Sequence, residues 1–516
     1  MADMNGAESL VHTLLDSGVE VCFTNPGTSE MHFVAALDRV PGMRSVLTLF
    51  EGVATGAADG YYRMAGKPAS TLLHLGPGLA NGISNLHNAK KAGSGVVNIV
   101  GEHAASHLEL DAPLTADIEG LARPVSHWVH SAKSAADVGA DAARSVQGAN
   151  TAPGQVATLI LPSDTAWTDG GQVAAPLAPP VRVMPAEADI AAAAAALDGA
   201  DSLLLLGGEA LTAEALDLAG RIAAHTGCAL LSEWSNARME RGAGRVPVAR
   251  VPYPIDLAVE VLAPFKRIVL VGARAPIGFF AYPGKPAVLT ADGAEIIELA
   301  NWSADLHGTL EGLCAEAGAK EAKPDLATRN PEVSVTGPLN PDSIAQVLGQ
   351  KIPENAIVVD ESITTGRAFH PVTKGAAPHT WLNNCGGSIG YSLSCAIGAA
   401  IACPDRKVLT LTGDGSALYM PQALWTMARE QLDITVVIWA NHSYQILRGE
   451  LTNVGVQNPG PRAIDMLTLD RPRIDWIAQA RAMGVEGVRV DSAEAFSDAL
   501  EDAFGTTGPR LIEVSM

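Results

Sequence analysis

The sequence predicts an α/β protein of three domains, each built on a parallel sheet. Three observations predict it. Short, wholly apolar runs alternate with longer Ala-rich stretches of helical period, the pattern of strands buried on both faces. Several of those runs end in glycine immediately before a helical stretch, the chain reversal of a βα unit. Two irregular, proline-bearing stretches divide the chain into three parts.

Taken in order, residues 1–168 carry apolar runs at 19–23, 69–74, 96–101 and 157–161, with Ala-rich helices between them. Residues 169–185 hold clustered Gly and Pro and read as a linker. A second α/β unit, 185–315, has strands at 202–206, ending in Gly207-Gly208, and at 268–271, ending in Gly272. The polar stretch 315–340 is a second linker. The third domain, 341–516, has strands at 356–359, 408–411, 435–439 and 511–514. Its longest apolar stretch, 389–402, is broken by Gly and Ser and is too short to span a membrane, so a buried helix is expected.

Bulk composition narrows the function. Lys plus Arg is 35 against Asp plus Glu 56, a net charge of −21 with no block of like charge. A dispersed acidic surface argues against nucleic-acid binding. The six cysteines, Cys22, Cys228, Cys314, Cys385, Cys395 and Cys403, form no CxxC pair, so reduced thiols and a cytoplasmic setting are expected. The N-terminus lacks a basic region and enters an amphipathic helix directly, so no signal peptide is expected.

The chemistry concentrates at strand ends. Gly413-Asp414-Gly415-Ser416 follows one strand of the third domain, and Asn441-His442-Ser443 follows another, with a helix expected at 423–430. Both segments then sit on the carboxyl edge of a parallel sheet, where open α/β sheets bind ligands. A carboxylate, an amide oxygen and a free backbone carbonyl make a hard oxygen site suited to Mg²⁺ with phosphate co-ligands. Gly415 and Ser416 would open the next helix, whose amides favour a diphosphate.

This pattern resembles the thiamine diphosphate signature, GDG followed at a set spacing by Asn, and the three-domain layout resembles that of the pyruvate-oxidase-like thiamine diphosphate enzymes over essentially the whole chain. The resemblance implies a pyrimidine-binding first domain, a Rossmann-like middle domain and a diphosphate-binding third domain. It implies Mg²⁺ ligation by Asp414, Asn441 and the Ser443 carbonyl, with Gly413, Gly415 and Ser416 around the diphosphate. Glu51, after the apolar run 47–50, resembles the family's catalytic glutamate, which hydrogen-bonds the pyrimidine ring and activates the cofactor. In residues 385–390, Ile389 matches the apolar wedge beneath the two rings and Gly387 the carbonyl offered to the pyrimidine amine. Thr364 is a diphosphate contact by the same resemblance, with helix capping as its structural alternative.

Residues 25–30 are similar to the substrate loop of benzoylformate decarboxylase-like enzymes, which assigns Thr28 to the substrate carboxylate. His74 falls where those enzymes place a proton-transfer histidine, whereas Gly76-Pro77-Gly78 is closer to acetolactate synthases. His103, His107, His127 and His130 read as surface or core histidines. Residues 274–284 carry no histidine where some decarboxylases present a second one, so an aromatic, apolar pocket is expected there.

The reading is a thiamine diphosphate- and Mg²⁺-dependent enzyme that breaks or forms carbon–carbon bonds on 2-keto acids, a non-oxidative decarboxylase or carboligase of acetolactate-synthase-like type. It would take a small 2-keto acid, aldehyde or ketone as substrate and assemble as a homodimer or homotetramer, with no nucleic-acid or membrane partner. Flavin is not expected. Alternatives are a flavin-containing acetohydroxyacid synthase, an acyloin or acyl-CoA lyase, and an idle cofactor-binding paralogue.

Overall fold

The computed structural model describes residues 4–516; residues 1–3, the start of the N-terminus read as leaderless, lie outside the described residues. The strands are β1 (Val21–Asn25), β2 (Arg44–Leu47), β3 (Ala69–Leu73), β4 (Val96–Glu102), β5 (Trp128–Ser131), β6 (Val156–Pro162), β7 (Ser202–Leu206), β8 (Ala229–Ser232), β9 (Met239–Arg241), β10 (Ala249–Arg250), β11 (Arg267–Val271), β12 (Glu295–Ala300), β13 (Ile357–Glu361), β14 (His379–Asn383), β15 (Val408–Gly413), β16 (Ile434–Ala440), β17 (Glu486–Val490) and β18 (Arg510–Ser515). They form three sheets: β2-β1-β3-β4-β6-β5, β10-β8-β7-β11-β12, and β17-β18-β16-β15-β13-β14-β9. Every pairing is parallel except β9 on β14. The mainly apolar strands β3, β4, β6, β7 and β16 are buried along their whole length, because helices cover both faces of each sheet.

The third sheet is not built from the third part of the chain alone. β9, from the middle of the sequence, pairs antiparallel with β14 and caps that edge. A buried ion pair reinforces the junction. Arg63 binds Asp59 one helical turn back at 2.7 Å and donates to the carbonyls of Ala237 and Asn383. One guanidinium therefore touches all three parts of the chain.

Helix Glu51–Ala65 packs directly against helix Tyr391–Ala402, which is buried from Tyr391 to Ile401. Small residues permit the approach. A Cβ placed on Gly60 would lie 2.0 Å from the Cys395 carbonyl oxygen, and one on Gly398 would lie 1.8 Å from that of Ala57. One apolar cluster runs through both helices and both flanking sheets, joining Val53, Ala57 and Leu86 to Leu393, Ile397 and Val436.

One expected element is corrected. The stretch after Asp414 is a single turn, Asp414–Ala417, separate from the helix Ala423–Arg429. Pro421 divides them, since the residue before a proline is pushed out of helical geometry.

Candidate active site

Two groups of expected site residues assemble at two sheet edges. The first lies at the carboxyl ends of β1 and β3. Glu51 opens helix Glu51–Ala65 and is 7 % exposed. Its carboxylate accepts from Asn25 Nδ2 at 3.2 Å and from Asn81 Nδ2 at 3.0 Å, which fixes both oxygens. His74 follows β3 directly. Gly78 marks how closely the two approach: a Cβ there would lie 3.3 Å from both Glu51 Oε1 and His74 Cβ. Thr28, exposed, opens the short turn Thr28–Glu30 directly after Gly27, which packs on the His74 ring. Neither Thr28 nor Ser29 caps a helix; the Glu30 side chain instead closes the turn onto the Gly27 amide at 2.8 Å.

The second group lies at the carboxyl ends of β13, β15 and β16. Asp414 is buried. Its oxygens accept from the amides of Gly415 at 2.8 Å and His442 at 2.7 Å. Burial pushes its carboxyl above the usual range, with the two amides only partly offsetting this. Asn441 Oδ1 accepts from the Ser443 amide at 3.0 Å and retains a second lone pair. The Ser443 carbonyl receives no hydrogen bond among the described residues. No cluster of three His, Cys, Asp or Glu among those residues could hold a metal. The candidate set instead uses one carboxylate, one amide oxygen and one carbonyl, the donors that suit Mg²⁺. An under-compensated buried carboxylate beside two free oxygen lone pairs fits a divalent cation.

Around it, Gly415 brings the chain against Tyr444, where a Cβ would lie 2.5 Å from the ring. The Ser416 and Thr364 hydroxyls have no partner among the described residues, so Thr364 does not serve as the cap that was its alternative. A Cβ on Gly413 would lie 3.8 Å from Ser416 Oγ, an ordinary contact.

The loop Cys385–Gly390 is the most constrained part of the site. The Gly386 carbonyl meets His87 Nε2 at 3.1 Å. The Ser388 carbonyl accepts from Asn88 at 2.8 Å and Asn384 at 2.7 Å. The Gly387 carbonyl between them receives nothing among the described residues, which leaves it free for a ligand amine. Ile389 is half-buried just ahead of the helix.

Glu361 anchors this loop, and the sequence reading gave it no role. Fully buried, it accepts from the amides of Gly390, Tyr391 and Ser392 and from the Ser392 hydroxyl. Burial pushes its carboxyl up, and those four donors at a helix N-terminus pull it back. An acidic strand end ahead of a Gly-rich helix start was the available signal. His87, Asn88 and Asn384 carried none.

Three non-glycine residues in left-handed backbone geometry flank the expected site residues. Leu75 (φ 46°) follows His74, Ile363 (φ 44°) precedes Thr364, and His442 (φ 53°) lies between Asn441 and Ser443. Such conformations are costly for leucine and isoleucine and cluster where a backbone must be aimed at a ligand.

Residues 274–284 are aromatic as expected. Trp234, Tyr253 and Phe279 pack with ring centroids 5.3–5.8 Å apart, and Phe279 closes on Gly387. The adjoining cavity of about 250 Å³ reaches Thr364 but is not purely apolar. Lys285 pairs with Asp256 in its wall, and Tyr282 donates to Glu450 at 2.6 Å.

Comparison with known proteins gives this arrangement its class. Residues 4–123 match the family described as thiamine pyrophosphate enzyme, N-terminal TPP binding domain, and residues 364–514 match its C-terminal TPP binding domain. The chain is 49 % identical over 513 residues, 99 % of each protein, to the "Putative acetolactate synthase large subunit IlvX" of Mycobacterium tuberculosis. It is 29 % identical to benzoylformate decarboxylase of Pseudomonas aeruginosa, with 96 % of each covered. Its fold superposes with a TM-score of 0.85 on the thiamine diphosphate-dependent 4-hydroxybenzoylformate decarboxylase of Rhodococcus jostii, at 24 % identity and 99 % coverage of both chains. The chain belongs to the thiamine pyrophosphate enzyme family. It uses thiamine diphosphate with Mg²⁺, and its chemistry is carbon–carbon bond cleavage or formation on 2-keto acids.

Proposed function

We propose that this enzyme is a non-oxidative 2-keto acid decarboxylase, with Glu51, His74 and Thr28 at the reacting end and Asp414, Asn441 and Ser443 holding Mg²⁺. The observation that carries the reading is a histidine, His74, whose Cβ and the Glu51 carboxylate both close on Gly78. A proton donor at the reacting carbon ends the sequence as an aldehyde. A carboligase needs that carbon left unprotonated until a second carbonyl arrives.

When bound, thiamine diphosphate supplies an electron sink for the bond pair released as carbon dioxide departs. The protein's own residues do the rest. Glu51, held by Asn25 and Asn81, presents a fixed carboxylate to the pyrimidine ring. Gly387 would offer its free carbonyl to the ring amine, and Ile389 would pack against the cofactor rings. Gly413, Gly415, Ser416 and Thr364 would hold the diphosphate. Thr28 orients the substrate carboxylate, and His74 gives up the proton.

Carboligation is the second reading, favoured by the relative named as an acetolactate synthase subunit. A flavin gains no support from the middle sheet. At the reversal of strand order between β7 and β11, where a dinucleotide would approach, Gly207 packs on Gly272 and beside the Glu233 carboxylate. Burial raises Glu233 to about 7.

The exposed apolar residues Leu49, Ile363, Leu418 and Tyr419 adjoin the two groups of site residues. A second copy covering this face would join one chain's Glu51 group to its neighbour's Asp414 group, giving a homodimer or a homotetramer of two such pairs. All six cysteines are free thiols, and among the described residues no helix is long and apolar enough to cross a membrane; a cytoplasmic setting fits both. Product analysis decides the main reaction. Aldehyde formed in step with carbon dioxide supports decarboxylation, and a hydroxyketone or 2-hydroxy-2-alkyl keto acid as the main product overturns it.

A further inference from the structure

We infer that Glu30 is the positioning residue that orients His74 for proton delivery. The inference rests on the reading of His74 as the proton donor. The Glu30 carboxylate is 2 % exposed, and its Oε2 meets His74 Nδ1 at 2.8 Å while accepting from the Gly27 amide at 2.8 Å. Oε1 is buried with no partner among the described residues. A carboxylate taken out of water in this way is held by its one ionic partner, the imidazole. Burial pushes the Glu30 carboxyl up, and the imidazole and the Gly27 amide pull it back.

The backbone is cut to fit the pair. A Cβ on Gly27 would lie 2.2 Å from His74 Nδ1, and one on Gly101 would lie 1.7 Å from Glu30 Oε1. Neither position admits a side chain without breaking the contact. Leu75, at φ 46°, fixes the chain on the other side of His74.

A carboxylate that accepts from Nδ1–H selects the tautomer and turns Nε2 away from itself. Nε2 is then the atom that exchanges protons. In the reaction, the bond to the carboxylate breaks and carbon dioxide leaves. The former carbonyl carbon keeps the electron pair, and His74 Nε2–H supplies the proton that replaces carbon dioxide. Solvent returns that proton to His74, so one 2-keto acid anion and one proton become one aldehyde and one carbon dioxide. Glu30 steadies the imidazolium while it waits.

The other titratable groups around His74 are Glu51 across Gly78 and, on the segment at the end of β4, Glu102 and His103 with its neighbour His107. His103 is disfavoured from protonation by burial, then by His107 and His74. None of these contacts His74 Nδ1, so the Glu30 effect is separable.

The test compares wild type, Glu30→Gln, Glu30→Asp, His74→Gln and the Glu30→Gln/His74→Gln pair, each loaded with thiamine diphosphate and Mg²⁺. Glu30→Gln lowers kcat roughly 10- to 100-fold with KM little changed. Glu30→Asp recovers part of it, and the double variant is no worse than His74→Gln. In the cofactor-free protein, carbethoxylation of His74 by diethyl pyrocarbonate, read by peptide mass spectrometry, reports the free imidazole. At a fixed neutral pH its rate rises severalfold in Glu30→Gln, because Nδ1 has lost its carboxylate partner. If Glu30→Gln does not fold, Glu30→Asp carries the same two readouts, with an intermediate kcat and a smaller change in labelling. Wild-type kcat and an unchanged labelling rate in the folded Glu30 variants, beside a defective His74→Gln, overturn the role of Glu30 alone. Wild-type turnover in His74→Gln overturns the His74 reading beneath it.

Discussion

At the scale of single residues, the site separates a few charged atoms from water and leaves defined lone pairs free. Asp414 is the clearest case. Its carboxylate is buried against two amides, with no Lys or Arg within salt-bridge distance among the described residues and the His442 ring 3.8 Å away. Asp414→Asn removes the only formal charge in the candidate metal set. It is expected to weaken Mg²⁺-supported cofactor binding by about tenfold or more, since even neighbours of metal ligands matter that much. Calorimetric titration of the variant reads it, and unchanged affinity would remove Asp414 from the metal. Asp414, Asn441 and Glu51 were legible in the sequence because each combines a chemically committed side chain with a strand end. Glu30, Asn81, Asn88 and Glu361 were not. Their meaning lies in which amide or imidazole they meet across tens to hundreds of residues, and no local period encodes that.

At the scale of elements, the deeply buried strands were legible because burial on both faces writes a continuous apolar run. The edge strands were not. β5, β12 and β17 are partly exposed and mix polar or charged residues with apolar ones, and β14 (His379–Asn383), next to the β9 edge, places a histidine and a threonine inside a buried strand. The pairing of β9 with β14 could not be read either, because the three residues of one short strand say nothing about a partner far along the chain. The contact of helix Glu51–Ala65 with helix Tyr391–Ala402 gives this scale its prediction. Gly398→Ala drives a methyl into the Ala57 carbonyl and should destabilise the fold by about 3 kcal/mol. Chemical denaturation measures the loss, and an unchanged midpoint would mean that the helices are not in close contact.

β14 gives a second prediction, of acid sensitivity. His379 donates Nδ1–H to the Ala377 carbonyl at 2.7 Å and leaves Nε2 buried without a partner. Burial, then the neighbouring Arg241, lowers His379 to about 3, and burial with Arg241 and Arg250 also lowers His370. Both are neutral in the folded protein. Above the ordinary histidine value the folded and unfolded chains bind the same protons, and stability is at its full value. As pH falls below about 6.5, only the unfolded chain takes up protons, and stability is lost progressively toward pH 3. Between pH 7 and pH 5 this amounts to about 2 kcal/mol for each histidine. Urea titrations at the two pH values should show a smaller difference in His379→Phe than in wild type; equal differences would contradict a neutral His379.

At the scale of the whole molecule, the first and third of three mainly parallel sheets hold the site residues in two groups, and the chain matches its relatives along nearly its full length. The three-part layout was legible from two proline-bearing linkers. The seam between the parts was not, because Arg63 and β9 work through contacts that no linker announces. The central claim is that Glu51 activates a cofactor held by the Asp414 edge. The measurement that tests it most directly is a calorimetric titration of wild type and Glu51→Gln with thiamine diphosphate and Mg²⁺, followed in the same samples by carbon dioxide release from a panel of 2-keto acids. The account predicts saturable, Mg²⁺-dependent binding by both proteins and carbon dioxide from wild type alone. Equal release from both, or no Mg²⁺-dependent binding by wild type, would contradict it.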